Sequence, residues 1–110
     1  MGRFVKGDAV VVPFPFSDLS SAKRRPALVL ADLEGEDRIL CQITSRPVGD
    51  RDAIPLSEAD FEAGGLRQAS NVRPNRLFTA DSGLILYAVG RVRADMHARV
   101  VERVVDILRR

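Results

Sequence analysis

The feature that most narrows the fold is punctuation. Six prolines and eight glycines separate apolar runs that are all short, and helical periodicity is confined to the C-terminal end. Ala9-Val10-Val11-Val12 is β-branched and reads as a buried strand. Pro13 and Pro15 are expected to stop its pairing, because proline donates no N–H to a ladder. Residues 26–31 and 38–44 are the next two strands, joined across the acidic turn Leu33-Glu34-Gly35-Glu36-Asp37 as a hairpin. Residues 53–56 form a short strand that Pro55 assigns to an edge. Residues 57–61 read as a turn or a single helical turn, stopped by Gly64-Gly65. Residues 70–73 are extended up to Pro74, residues 77–79 are briefly extended, and Asp81-Ser82-Gly83 is a turn. Residues 84–92 form a last strand, in which Gly90 marks a bulge or a close backbone approach. Asp95 then caps a helix whose apolar stripe is Val100, Val101, Val104, Val105 and Leu108. The first half offers no helices to alternate with strands, which argues against an α/β fold. The expected fold class is mainly β, a small, partly open β-barrel with a C-terminal α-helix.

The bulk numbers are consistent with one domain over residues 1–110. A chain of this size buries roughly 60–70% of its unfolded surface, enough for one modest core. The net charge of +2 does not demand a polyanionic partner, so where the cations sit matters more than their sum. The single Cys41 excludes an intramolecular disulfide and reads as a small core residue. One His and one Cys do not make an ordinary zinc site, and no metal or other cofactor is expected. No apolar run reaches the roughly 18–20 residues that span a bilayer, and the N-terminus lacks the layout of a secretory signal. A cytoplasmic location with no membrane partner is the expectation.

Chemistry concentrates where Lys23-Arg24-Arg25 runs into Pro26-Ala27-Leu28-Val29-Leu30. Pro26 suits the first residue of a strand and biases Arg25 toward an extended backbone. A cation is thereby held at the root of a rigid element. Thr44-Ser45-Arg46 closes the third strand, and these segments are expected to gather around a phosphate-sized anion. Thr44 is also simply a good strand former whose hydroxyl satisfies a turn. Phe14 and Phe16 have two readings, core or lid packing and stacking on a nucleobase. Arg46 and Arg51 either line a substrate path or are plain solvent charge.

The stretches Gly7 to Asp18 and Lys23 to Leu30 resemble the opening of the PemK/MazF-like toxins of bacterial type II toxin–antitoxin systems. Ile43-Thr44-Ser45, Val72-Arg73-Pro74 with Leu77-Phe78-Thr79, and Val89-Gly90-Arg91-Val92 are similar to the same family, so the resemblance covers essentially the whole chain. It implies an SH3-like barrel that forms a homodimer. It implies metal-independent cleavage of single-stranded RNA at a short sequence, leaving a 2′,3′-cyclic phosphate and a 5′-hydroxyl. It also implies a cognate antitoxin whose flexible tail covers the RNA groove. Carried over position by position, the catalytic residues are Arg25 and Thr44. Arg24, Ser45, Arg73, Asn75 and Phe16 are the substrate-binding candidates. In some members an acidic residue two positions past the second Arg is the proposed base. This chain has Asn75 there, and a carboxamide accepts no proton at neutral pH.

RNA cleavage through its own 2′-hydroxyl needs no protein nucleophile. It needs in-line positioning, removal of the 2′-proton, stabilisation of the phosphorane charge and a proton on the leaving 5′-oxygen. An arginine fork matches two phosphate oxygens and stays ionised, which suits Arg25 and Arg73 to the charge. For the base, His97 is the usual residue type but belongs to the final helix, and Asp18 lies near the cationic run but is as easily paired with Lys23 or Arg24. No base is assigned from sequence. Two other classes remain: a barrel of this kind acting on gyrase, and a non-catalytic RNA-binding module.

Overall fold

The computed structural model describes residues 4–14 and 23–110. Within them the chain order is β1 (Asp8–Phe14), β2 (Lys23–Asp32), β3 (Asp37–Thr44), β4 (Ile54–Leu56), a 3-10 turn (Glu58–Asp60), β5 (Phe61–Gly64), β6 (Ser70–Asp81), a second 3-10 turn (Ser82–Leu84), β7 (Tyr87–Val92) and α1 (Ala94–Arg109). The strands form one antiparallel sheet in the order β4-β6-β3-β2-β1-β7-β5, curled into a half-barrel. The mainly β class with one C-terminal helix is therefore the observed one.

Two faces organise everything else, because successive strand residues point to opposite sides. Leu28, Cys41, Ile43 and Val72 lie on one face, and Met96 and Val100 of α1 pack there with Val101 and Val104 at the margin. Val10, Val12, Ala27, Val29 and Leu40 lie on the other face in a smaller cluster closed by Ile85. The helix covers the first face only.

Several expectations are corrected, all for the same reason: tertiary pairing overrides local breakers. Pro13 does not stop β1, whose ladder with β2 continues through Pro13–Arg24 and Phe14–Lys23. Pairing with β7 ends at Val11, so Pro13 lies on a stretch paired on one side only, where a missing donor is tolerated. The second strand does not begin at Pro26, since Lys23, Arg24 and Arg25 are already in β2. Pro74 does not end its strand either; β6 runs through it, with residues 74–76 accommodated in a register break between Gln42–Arg73 and Cys41–Leu77. Gly64 ends a strand, β5, and does not stop a helical turn. The 3-10 turn itself and the edge position of β4 are as expected.

Gly90 is required by space. A Cβ there would lie 2.6 Å from the Ala63 carbonyl oxygen and 2.7 Å from the Gly65 nitrogen. At the helix, Arg93 occupies the N-cap position and Asp95 falls inside the first turn, where its carboxylate accepts the Met96 N–H and suits the helix dipole. The stripe also shifts: Met96 is buried, whereas Leu108 is 71% exposed.

Candidate functional site

On the face that α1 leaves uncovered, the apolar cluster gives way to polar residues toward one end. The cross-strand pairs there are Ala27–Gln42, Gln42–Arg73 and Thr44–Asn71. Paired residues share a face, so Ala27, Gln42 and Arg73 form one row across β2, β3 and β6. Val12 pairs with Arg25, and the β2–β3 register carried two residues further sets Arg25 beside Thr44 and Asn71 in the next row. Two arginines thus stand diagonally across a polar floor.

The polar atoms of that floor are incompletely paired. Arg25 Nε, Arg73 Nε and Gln42 Oε1 are buried without a hydrogen-bond partner. Buried donors and acceptors are rarely left in this state, and such a group points to a role outside fold stability. The Thr44 hydroxyl oxygen accepts the Arg46 N–H at 3.1 Å, so its turn-satisfying role is real. Its own proton stays available to donate.

Arg24, Arg25, Thr44 and Ser45 meet at a depression of about 230 Å³, with Arg67 and Gln68 from the β5–β6 connection on its other wall. Four sequence-proposed residues therefore converge. Arg67 was missed: it lies between strands with no pattern around it, and only the closure of β6 onto β3 brings it to this wall.

Arg73 and Asn75 meet a second residue that the sequence did not single out. Asp50, in the loop of residues 45–53, accepts from Asn75 Nδ2 at 2.7 Å and from Arg73 Nη2 at 3.5 Å on Oδ2. Its Oδ1 accepts the Asp52 N–H at 2.9 Å. The Asp52 N–H, ahead of the Asn75 amide and the Arg73 guanidinium, holds the Asp50 carboxyl below its ordinary value against the opposing effect of partial burial. Asp50 was legible only as one charge in a breaker-rich loop.

The remaining candidates fall elsewhere. His97 Nε2 donates to the Leu30 carbonyl at 3.0 Å and lines a different depression with Lys6, Glu62 and Arg91. Arg51 is exposed and its carbonyl accepts from Arg103. Phe16 and Asp18 lie outside the described residues. Among the described residues, no group of three or more His, Cys, Asp or Glu is placed to hold a metal ion.

Fold and site together define a small β half-barrel with a cation-lined depression where the ends of β2 and β3 meet the β5–β6 connection. A family model for the PemK-like, MazF-like toxins of type II toxin–antitoxin systems matches residues 6–108, and the chain belongs to that family. Among solved structures, MazF from Deinococcus radiodurans is similar at 23% identity, covering 97% of this chain and 97% of that chain with a TM-score of 0.74. An endoribonuclease in complex with its cognate antitoxin from a mycobacterial species is similar at 10% identity, covering 96% and 94%, with a TM-score of 0.75. The Mycobacterium tuberculosis toxin MazF-mt6 is similar at 18% identity, covering 92% and 95%, with a TM-score of 0.71. At these identities the structural likeness speaks to fold alone. No curated protein sequence matches the chain.

Proposed function

We propose that the protein is the toxin of a type II toxin–antitoxin pair and acts as a metal-independent endoribonuclease on single-stranded RNA. The observation that carries this reading is the pair of arginines, Arg25 and Arg73, set on one sheet face around Thr44 with both Nε atoms buried and unpartnered. An RNA phosphate meets the part of each guanidinium that stays exposed.

The chemistry follows from the floor. A phosphate seated over β3 is flanked by Arg25 from β2 and Arg73 from β6, each one strand spacing, about 4.8 Å, to the side. The Arg25 fork neutralises the charge that grows on the non-bridging oxygens and hydrogen-bonds the departing 5′-oxygen. Thr44 donates its hydroxyl proton to the same phosphate, with Ser45 beside it. Preorganised donors of this kind are commonly worth about 3–4 kcal/mol each in the transition state. Arg24 and Arg67 hold flanking phosphates, and Asn75 steadies the substrate beside Arg73. The products are a 2′,3′-cyclic phosphate and a 5′-hydroxyl.

The partners are a second copy of the chain and a cognate antitoxin. Leu84, Leu86 and Tyr87 are 58%, 44% and 46% exposed within a four-residue stretch, apolar surface that suits a covering partner. Sedimentation at micromolar concentration is expected to give a dimer. The action is cytoplasmic in this reading; no helix among the described residues is long and apolar enough to cross a membrane.

The test is incubation of the purified protein with a long single-stranded RNA in EDTA, with fragment ends mapped. Discrete cuts with 5′-hydroxyl ends, absent for Arg25→Ala, are expected. Intact RNA across diverse sequences, from folded protein free of antitoxin, would move the function to a protein-directed toxin or a non-catalytic RNA binder.

A further inference from the structure

We infer that Asp50 is the general base, taking the 2′-hydroxyl proton in place of the carboxylate that Asn75 does not provide. The inference rests on the ribonuclease reading and names the residue that reading lacks.

The geometry is specific. Asp50 Oδ2 is bonded to both Asn75 and Arg73, at 2.7 and 3.5 Å. Arg73 stands in the row adjoining Arg25 and Thr44 on the same sheet face. A phosphate oxygen held by Arg73 therefore lies within a few ångströms of the Asp50 carboxylate, and the ribose 2′-hydroxyl of that nucleotide is the next group along. The carboxylate also has room to react. An ionised carboxyl offers about four acceptor positions. Asn75 and Arg73 fill two on Oδ2, and Asp52 fills one on Oδ1, which leaves one on Oδ1. The side chain keeps 16% of its surface exposed, enough for a hydroxyl to reach it. Other carboxylates are engaged differently: Asp8 binds Arg91 and Asp52 binds Arg110.

The step balances. The 2′-O–H bond breaks and its proton passes to Asp50 as the 2′-oxygen bonds to phosphorus. The P–O5′ bond then breaks, and its electron pair leaves on the 5′-oxygen, which takes a proton from solvent. Asp50 returns its proton to solvent. No oxidant, metal or further reactant is needed. The same three donors that hold the carboxylate in place keep it ionised at neutral pH, at the cost of making it a weaker base.

The experiment uses an oligonucleotide containing a site that the wild-type protein cuts, and a second copy with a 2′-deoxy sugar at the scissile position, which binds but does not react. Asp50→Asn keeps an acceptor for the Asp52 N–H and so keeps the loop. Its single-turnover rate is expected to fall by ~10²–10⁴-fold, the usual contribution of a general base. Its affinity for the deoxy oligonucleotide is expected to change little or to rise. Asn75→Asp in the Asp50→Asn background returns a carboxylate beside Arg73 and is expected to restore part of the rate; the loss of rate at unchanged deoxy-oligonucleotide affinity is the outcome that a merely structural role does not produce. Wild-type turnover in Asp50→Asn, or a rate loss matched by an equal loss of affinity, would overturn the assignment while leaving the ribonuclease standing. A wild-type protein that cuts no RNA removes the ribonuclease reading and the base with it.

Discussion

Two arginines, thirteen positions apart on neighbouring strands, are expected to behave in opposite ways when truncated. Arg38 in β3 is 2% exposed, and its guanidinium donates to the carbonyls of Phe4, Gly35 and Asp37 at 2.6, 3.0 and 2.9 Å. Arg38→Ala removes three bonds from a charged donor and leaves a cavity. The carbonyls nearest the turn rehydrate, so the loss is about 3–5 kcal/mol, below the sum of three full penalties. Against a total stability of roughly 5–15 kcal/mol, that lowers the melting temperature by roughly 10–20 °C. Arg25 is only half-buried and its Nε makes no hydrogen bond, so Arg25→Ala breaks no bond at that atom and removes only partly packed stem. Its stability is expected to stay within about 0.5 kcal/mol of wild type. Its RNA cleavage is expected to fall by ~10²–10³-fold, the worth of one preorganised donor to a developing oxyanion. Urea unfolding followed by far-UV circular dichroism, with cleavage measured on the same samples, gives both quantities. If Arg25→Ala loses as much stability as Arg38→Ala, or cuts RNA at the wild-type rate, the argument from unpartnered donors is wrong.

Gly90→Ala drives a methyl group into the backbone of residues 63–65, and a loss of about 1–3 kcal/mol in urea unfolding is expected; an unchanged midpoint would contradict the close approach of β5 and β7. Burial pushes the Cys41 thiol up to about 12, so iodoacetamide is expected to label it only as fast as the native protein opens, and labelling at the rate of a free thiol would refute its burial. Asp50 has a lowered pKa in the folded state, so its contribution to stability is present above the ordinary value of 3.8 and is lost as pH falls through the lower folded value. Asp50→Asn is accordingly expected to be less stable than wild type at neutral pH, with the difference closing in acid; a pH-independent difference would show that the carboxylate gains nothing from its donors.

The strands were legible because their burial alternates or runs continuously, and β2 and β3 show both halves of that signal. The breakers were misread because a proline's cost depends on where its missing N–H points. Pro13 and Pro74 sit where a neighbour has ended or a register breaks, and neither condition is visible along the chain. The same limit governs the site. Arg25 and Thr44 announce themselves through motifs at the ends of adjacent strands. Arg67 and Asp50 come from connections, and their relation to the floor exists only once β6 has paired with β3 and the loop of residues 45–53 has been drawn over Arg73.

That loop takes its position from the far side of the sheet. Arg110 Nη1 donates to Asp52 Oδ2 at 3.2 Å and its Nη2 to Oδ1, while Arg103 Nη1 donates to the Asp52 carbonyl at 3.0 Å. Both arginines belong to the C-terminal end of the chain, whose helix is fixed by Met96 and Val100 against the larger apolar cluster. Asp52 in turn gives its N–H to the Asp50 carboxylate. A continuous set of contacts therefore joins the packed face of the helix to a carboxylate on the opposite, open face. The helix does more than close a core: by holding Asp52 it sets where Asp50 meets Arg73 and Asn75. A loop rich in breakers cannot fix a side chain to within a fraction of an ångström by itself, and this second anchor supplies the precision that proton transfer at Asp50 requires.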